Sequence, residues 1–141
     1  MTINQISIFL ENKFGKLNEI FSVLNKENIR IIAATVADTS DYGILRMIVN
    51  DTQKAHRLLK ENNMSVHLTE VLAITTQSSA GDFSGILTHF TKAGLSIEYM
   101  YCFSVESKSF LILKVNDRKT ALDVIRHSNL EYVTEKELTN L

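Results

Sequence analysis

The chain repeats its own pattern after 66 positions without a gap: Gly15 recurs as Gly81, and Asn50-Asp51 recurs as Asn116-Asp117. Apolar residues spaced i, i+3, i+4 and i+7 mark one buried face of a helix. This face comprises Leu17, Ile20, Phe21 and Leu24 in the first copy, and Phe83, Ile86, Leu87 and Phe90 in the second. Duplication explains a gap-free match better than convergent patterning does. We therefore expect two copies of one folding unit.

Period-two alternation predicts four strands in each copy. In the first copy they are Ile3–Leu10, Ile29–Ala37, Gly43–Val49 and Met64–Thr69. In the second copy they are Glu70–Thr76, Leu95–Ser104, Ser109–Val115 and Glu131–Glu135. A second helix buries Ala55, Leu58 and Leu59 in the first copy, and Ala121, Val124 and Ile125 in the second. Each copy therefore reads strand–helix–strand–strand–helix–strand.

This order of elements predicts an α+β fold of two ferredoxin-like βαββαβ repeats, at residues 1–69 and 70–141. Each repeat is expected to be an antiparallel sheet with both helices on one face. The chain has no proline and five glycines, and no Pro- or Gly-rich linker separates the copies. The fourth strand of the first copy should therefore run almost directly into the first strand of the second, which couples the two halves rigidly.

The third strands carry apolar residues on both faces, whereas a sheet with one wet face alternates more cleanly. We call the face away from the helices the back face. Its predicted apolar residues are Ile44, Ile48, Phe110 and Ile112, with Phe9 and Ile32 beside them. An exposed apolar surface of this kind marks an interface. We therefore expect a homodimer, with these side chains buried between chains.

Composition excludes several classes of protein. The formal net charge is −1, which gives no reason to expect nucleic acid as a partner. The single cysteine, Cys102, excludes an internal disulfide framework and is typical of a reducing compartment. The N-terminal stretch lacks the pattern of a secretory signal, and no run of about 18 apolar residues is present to span a membrane. We therefore expect a cytoplasmic protein.

The sequence shows no pattern for catalysis. The four histidines, His56, His67, His89 and His127, fall on different predicted elements without the spacing of metal ligands. No phosphate-binding glycine loop, nucleophile elbow or zinc-protease motif is present. Asp38 and Asp41 are better explained as turn residues than as an acid/base pair. We therefore predict no catalytic residue, no metal site and no cofactor, and do not expect an enzyme.

Two corners, where a strand ends and a helix begins after a glycine, are the remaining candidates for a site. We call residues Asn12–Leu17 the first corner and Ser78–Phe83 the second corner. A helix N-terminus presents unpaired N–H groups and a positive dipole end, and a glycine lets a ligand approach the backbone closely. Such a corner can seat a carboxylate. The alternative is that Gly15 and Gly81 only permit a tight turn.

The segment ISIFLENKFGKLNEIFSVLNKENIRI resembles the opening of an ACT domain. In that family a first strand ends in polar residues, then x-P-G-x-L, then an amphipathic helix that ends in N-I-x-I. Residues that match are Asn12, Gly15, Leu17 and Asn28-Ile29-Arg30-Ile31, while Phe14 replaces the usual proline. The second copy matches at Gly81, Phe83 and Ala93-Gly94-Leu95-Ser96-Ile97. The resemblance covers almost the whole chain as two tandem ACT repeats.

This resemblance implies regulatory binding of a free amino acid or a similar small metabolite. ACT domains pair side by side through their second strands into an eight-stranded sheet, with the ligand at the junction. Carried over by position, the first-corner contributors are Asn12, Lys13, Phe14, Gly15, Lys16 and Leu17, with Ile31 and Ile32 from strand two. The second-corner contributors are Ser78, Ser79, Gly81, Asp82 and Phe83, with Ile97 and Glu98 from strand two.

Two questions stay open at the level of sequence. Glu98 needs a partner within its apolar strand, and either a ligand ammonium or an exposed edge position would satisfy it. Lys13 and Lys16 add positive charge to the first corner, whereas Asp82 adds negative charge to the second, which predicts unequal sites. The rival function is an ACT-like dimerisation module that binds no ligand, its two loops having simply drifted apart. In either case a regulated protein partner is implied but not identified.

Overall fold

The structure, a computed structural model, describes residues 2–11, 15–38 and 41–141. Its six strands are β1 (Thr2–Glu11), β2 (Ile31–Asp38), β3 (Tyr42–Val49), β4 (Ser65–Thr76), β5 (Ile97–Val105) and β6 (Lys108–Val115). Its five helices are α1 (Lys16–Lys26), α2 (Thr52–Glu61), α3 (Ala80–Lys92), α4 (Arg118–Ser128) and α5 (Glu135–Thr139). None of the helices in these ranges is long and apolar enough to cross a membrane.

The chain forms two compact units, and each one takes a short piece from the far end of the sequence. The first repeat comprises Asn4–Thr69 with Leu138–Leu141. The second repeat comprises Glu70–Glu137, and Thr2 and Ile3 belong to it. Strand order is β2-β3-β1-β4 in the first repeat and β4-β6-β5 in the second. The paired strands β1/β3, β2/β3, β4/β6 and β5/β6 are antiparallel, as the βαββαβ prediction requires.

Each repeat has its own apolar core between its helices and one face of its sheet. The predicted helix-face residues Ile20, Leu24, Ala55 and Leu59 are buried in the first core, with Leu17, Phe21 and Leu58 packed against it. Ile86, Phe90, Ala121, Val124 and Ile125 are buried in the second core, with Phe83 and Leu87 packed against it. The helical periodicity therefore identified both cores correctly.

The recurring Asn-Asp pair performs two different tasks in each repeat. Asp51 is the N-cap of α2 and accepts a hydrogen bond from the Lys54 N–H; Asp117 caps α4 in the same way. Asn50 Oδ1 accepts from the Arg30 N–H at 2.8 Å. Asn116 Oδ1 accepts from the Ser96 N–H at 2.9 Å. The asparagine thus ties the end of one strand to the chain entering its hairpin partner, and only the aspartate caps the helix.

The fourth strand of the first repeat runs directly into the first strand of the second, as the sequence predicts: the predicted strands Met64–Thr69 and Glu70–Thr76 form one continuous strand, β4, over Ser65–Thr76. The fourth strand of the second repeat differs from the prediction. Glu131–Glu135 is not a strand: a single antiparallel bridge joins Tyr132 to Ile74, and α5 begins at Glu135. Two backbone hydrogen bonds flank this bridge, from the Thr75 N–H to the Glu131 carbonyl oxygen at 2.8 Å and from the Val133 N–H to the Ala73 carbonyl oxygen at 2.9 Å.

The second strands are not joined to each other within one chain. Among the described strands β2 pairs with β3, and β5 pairs with β6. The expected eight-stranded sheet is therefore absent from the described part of a single chain, which has six strands. The sequence could not show this, because strand pairing between repeats leaves no mark in local periodicity.

The back face is largely buried within one chain, contrary to the dimer argument from sequence. Ile48, Phe110 and Ile112 are 2%, 3% and 0% exposed, so they are not available to a second chain. Ile44 and Ile32 are half-buried. Phe9 is 47% exposed and stacks on Tyr42, with ring centroids 4.6 Å apart. Among the predicted back-face residues, Phe9 therefore keeps the most exposed side chain, next to Tyr42.

Candidate functional site

The first corner starts its helix from a left-handed glycine. Gly15 is the N-cap of α1 with φ of 80° and ψ of 0°, and α1 begins at Lys16. A left-handed backbone favours glycine because it lacks a Cβ. Gly15 provides no side chain to accept from the first-turn N–H groups, which a helix leaves without internal partners. The other predicted residues of this corner, Asn12, Lys13 and Phe14, lie outside the described residues.

A cavity of about 110 Å³ lies beside this helix start. It is bounded by the end of β1, the first turns of α1 and the connection from α2 to β4, at Ile8, Phe9, Leu10, Glu11, Lys16, Ile20, Asn63, Met64 and Ser65. Its lining combines an apolar wall from β1 with one lysine, one carboxylate and one amide. This mixture suits a small polar molecule that carries both charges.

Lys16 is the lysine that lines this cavity, and it is the first residue of α1. Its Nζ lies 3.4 Å from Glu19 Oε2, one turn along α1. Both side chains are substantially exposed, so this ion pair contributes little to stability. A ligand carboxylate could therefore share the lysine at small cost. The Glu19 carboxylate on the first turn complements the helix dipole itself.

The second corner is built differently, because its helix begins two positions earlier in the repeat. Ser79 is the N-cap of α3, and its Oγ accepts from the Asp82 N–H at 3.0 Å. Gly81 lies inside the first turn of α3, without a positive φ. The prediction that Gly81 precedes the second helix is therefore wrong. The left-handed residue of this corner is Ser78, with φ of 59°.

The carboxylate of Asp82 occupies the second corner. Its Oδ2 accepts from the Thr76 hydroxyl at 2.5 Å and from the Gln77 N–H at 2.8 Å. The Thr76 Oγ1 accepts in turn from the Ser78 N–H at 3.1 Å. The Thr76 hydrogen bond, followed by that of Gln77, holds the pKa of Asp82 below its usual value. The chain itself thus supplies the anion that a helix start of this kind favours.

The remaining predicted site residues are split between the cores and the sheet edges. Leu17 and Phe83 pack against the two cores, as do Ile31 and Ile97. Ile32 is half-buried on β2. These apolar side chains present no polar group to a ligand.

Glu98 lies at an irregularity of the edge strand β5. It is exposed, and its Oε2 is 3.7 Å from Lys114 Nζ. Of the two explanations left open by the sequence, the exposed edge position accounts for this carboxylate without a ligand.

Three polar residues of the corners were not predicted as site residues from the sequence. Glu11 and Asn63 line the cavity of the first corner, and Thr76 is a buried donor to Asp82. The signal for Asn63 was present: it recurs as Asn129, and both have a left-handed backbone. Glu11 and Thr76 end their strands, where a polar residue is too common to single out.

No cluster of metal ligands occurs in the parts of the chain that the structure describes. His89 and His127 line the same groove between α3 and α4, which sequence spacing did not indicate. Cys102 is exposed, and its Sγ lies 3.8 Å from Ser78 Oγ. Among the described residues, this arrangement contains no nucleophile with an adjacent base.

Comparisons with known proteins identify the family of this chain. The sequence matches the family model described as ACT domain pair over residues 1–141. The crystal structure of protein BT0572 from Bacteroides thetaiotaomicron is 35% identical, covers 100% of this chain and 98% of its own, and superposes with a TM-score of 0.93. No curated protein matches the sequence significantly.

More distant structures share the fold. The regulatory subunit of aspartate kinase from Thermus thermophilus is 15% identical, with a TM-score of 0.61 over 90% of this chain and 93% of its own. The corresponding subunit from Thermus flavus is 14% identical, with a TM-score of 0.58 over 89% and 92%. The match to the family model over residues 1–141 establishes that this chain belongs to the ACT domain pair family.

Proposed function

We propose that this chain is a regulatory module that binds one free amino acid, or a similar small metabolite, at its first corner. The observation that carries this proposal is the difference between the two helix starts. The first begins at Gly15, beside a cavity that includes Lys16. The second is already occupied by the chain's own carboxylate, Asp82. A ligand carboxylate therefore has a favourable seat at the first corner and a repulsive neighbour at the second.

The charges of the first corner suit an amino-acid zwitterion. The helix start and Lys16 attract the α-carboxylate. Glu11, at the end of β1, also lines this cavity, and a carboxylate near the site favours an α-ammonium group. The apolar wall of Ile8 and Leu10 remains for the ligand side chain. These features support binding of a small amphoteric molecule rather than of a simple anion.

The distant structural neighbours support a regulatory role. Two of these neighbours are regulatory subunits of aspartate kinase. By analogy, we propose that this chain acts on another protein instead of catalysing a reaction. Binding at the first corner would then alter how the chain meets that protein.

We also propose that the chain forms a homodimer, through fewer exposed apolar residues than the sequence predicts. The stacked pair Phe9 and Tyr42 is exposed at one end of the back face, and the edge strand β2 has only β3 as its partner among the described strands. An exposed aromatic pair next to such an edge favours association with a second copy. Light scattering at micromolar concentration tests this, and a monomer there removes the proposal.

A thermal-shift screen with the twenty amino acids tests the ligand proposal. A ligand at about a hundred times its Kd should stabilise the folded chain by about 2.7 kcal/mol. The competing function, an interaction module without a ligand, predicts no shift with any of the twenty. A small metabolite outside this set is then screened in the same assay before the site is abandoned.

Calorimetry with the amino acid that shifts the melting temperature locates the site. Gly15→Val should lose most of the affinity, because valine is strained at a φ of 80°. Gly81→Val is the matched control, since Gly81 has a regular backbone with open space around its Cβ position, and it should lose little. Equal losses, or the reverse order, would contradict a site at the first corner.

A further inference from the structure

The cavity at the first corner is small for a ligand site. Its volume is about 110 Å³, whereas sites that bury a drug-sized molecule measure about 300–1,000 Å³. An apolar cavity of about 150 Å³ binds benzene. The cavity of the first corner is smaller than that one, so it holds a ligand of roughly four to six non-hydrogen atoms.

The apolar wall of this cavity belongs to the packed core of the first repeat. Ile8 and Leu10 from β1 and Ile20 from α1 line the cavity, and all three are buried members of that core. Protein cores are packed as densely as organic crystals, so these side chains have no free space into which they could retreat. The wall therefore fixes the size of the cavity on this side.

Met64 is the apolar lining residue outside that set. It lies on the connection from α2 to β4 and lines the cavity. Its side chain is partly buried and packs against the first core. A methionine side chain is unbranched and flexible, and it commonly fills irregular gaps. The length of the Met64 side chain therefore limits the space that is left for a ligand.

The part that all free amino acids share already uses most of this space. The ammonium nitrogen, the α-carbon and the carboxylate together make about five non-hydrogen atoms, close to the capacity that the cavity volume gives. Lys16 lines the cavity at the start of α1, where the lysine and the helix dipole favour the carboxylate. Once these groups are bound, room remains for a side chain of about one methyl group.

We propose that the first corner selects the smallest amino acids, glycine and alanine, and excludes those with branched, long or aromatic side chains. This inference rests on the proposed function, an amino-acid site at the first corner, and adds the class of ligand. A larger side chain must displace groups of the packed core, and forcing extra methylenes into such a core is unfavourable. Affinity should therefore fall steeply between alanine and valine.

Calorimetry on the full chain with glycine, alanine, valine, leucine and phenylalanine tests the proposal. Glycine or alanine should bind most tightly. Valine should bind about tenfold or more weakly than alanine, and phenylalanine should not bind measurably. Gly15→Val should remove the binding of the small ligands, which assigns it to the first corner.

Two truncations separate the size of the cavity from the stability of the fold. Met64→Ala enlarges the cavity, and should lower the ratio of the valine Kd to the alanine Kd about tenfold. Leu68→Ala is the matched control, because Leu68 is also partly buried against the first core but is not among the described residues that line the cavity. It should leave the ratio unchanged. Thermal unfolding checks that both variants are folded, and Met64→Val is a milder truncation that should lower the ratio less.

The outcomes distinguish this inference from the proposed function. Binding of valine, leucine or phenylalanine as tightly as alanine, if Gly15→Val removes it, overturns the size selection and leaves the amino-acid site in place. A ratio that neither Met64→Ala nor Met64→Val changes overturns the size selection as well. Absence of binding by all twenty amino acids overturns the proposed function, and the inference falls with it.

Discussion

Asp82 Oδ2 and the Thr76 hydroxyl are 2.5 Å apart, so the end of β4 is tied to the first turn of α3. The same oxygen accepts from the Gln77 N–H. Hydrogen bonds to an ionised carboxylate are stronger than hydrogen bonds to a neutral carboxyl group. The Asp82 carboxylate therefore occupies the second corner, whereas the first corner has no such internal carboxylate among the described residues. The two helix starts differ in this way although the repeats share one fold.

Replacing Asp82 should cost stability in a way that depends on pH. The pKa of Asp82 in the folded chain is lowered by Thr76 and Gln77. The carboxylate therefore adds stability above the ordinary aspartate pKa of about 3.9, and this contribution disappears as the pH falls through the lower folded-state pKa. Asp82→Asn should lower the free energy of unfolding by about 1 kcal/mol near neutral pH.

Urea unfolding of wild type and variant across the acid range measures this effect. The difference between the two proteins should be constant above about pH 5 and should shrink below it. Asp123→Asn is the control, because its exposed ion pair with Arg126 is worth less than about 1 kcal/mol. A difference that stays constant down to the acid limit would show that the carboxylate charge is not involved.

The two corner glycines should respond to alanine with opposite signs. Gly15 has a φ of 80°, where alanine costs about 1–2 kcal/mol. Gly81 lies in the first turn of α3, and the Cβ that alanine adds there would have nothing within 4 Å, so alanine should stabilise by up to about 1 kcal/mol. Urea midpoints of the two variants compare them directly. A loss at both positions would mean that the second helix start also needs its glycine.

The sequence predicted those elements whose signal is local. The spacing of Leu17, Ile20 and Leu24, and of Phe83, Ile86 and Phe90, identified helices because a buried face recurs with the helical period. From the sequence, Asp82 was predicted only to add negative charge to the second corner. Its hydrogen bond to Thr76 requires a loop conformation, with Ser78 left-handed, that residue types alone do not specify. Burial of Ile48, Phe110 and Ile112 likewise leaves no mark in the local alternation of residue types.

Ile112 illustrates this last point and gives a third prediction. It is 0% exposed in a single chain, so its side chain stabilises the fold and does not hold two chains together. Ile112→Ala should lower the free energy of unfolding by about 2–5 kcal/mol. The loss should be the same at low and high protein concentration. A loss that grows on dilution, with a change of species in light scattering, would restore the sequence-based dimer interface.

The continuity of β4 predicts that the first repeat cannot stand alone. A cut after Thr69 severs this strand in its middle, and removes Leu138, which is fully buried and belongs to the first repeat. A domain this short buries little surface, so it cannot lose half of β4 or the buried Leu138 and remain folded. Residues 1–69 should therefore lack a cooperative unfolding transition, measured by circular dichroism during urea titration.

Leu138→Ala in the full chain separates the two causes. Helix α5 is positioned by Thr134, whose N–H and hydroxyl both donate to Glu137 Oε2 at 2.8 and 2.9 Å, and Leu138 follows directly. Its truncation to alanine should cost about 2–5 kcal/mol, whereas Leu141→Ala, at a partly exposed position, should cost far less. If residues 1–69 unfolded with the stability of the whole chain, the repeats would be independent, and the C-terminal residues would serve only the second.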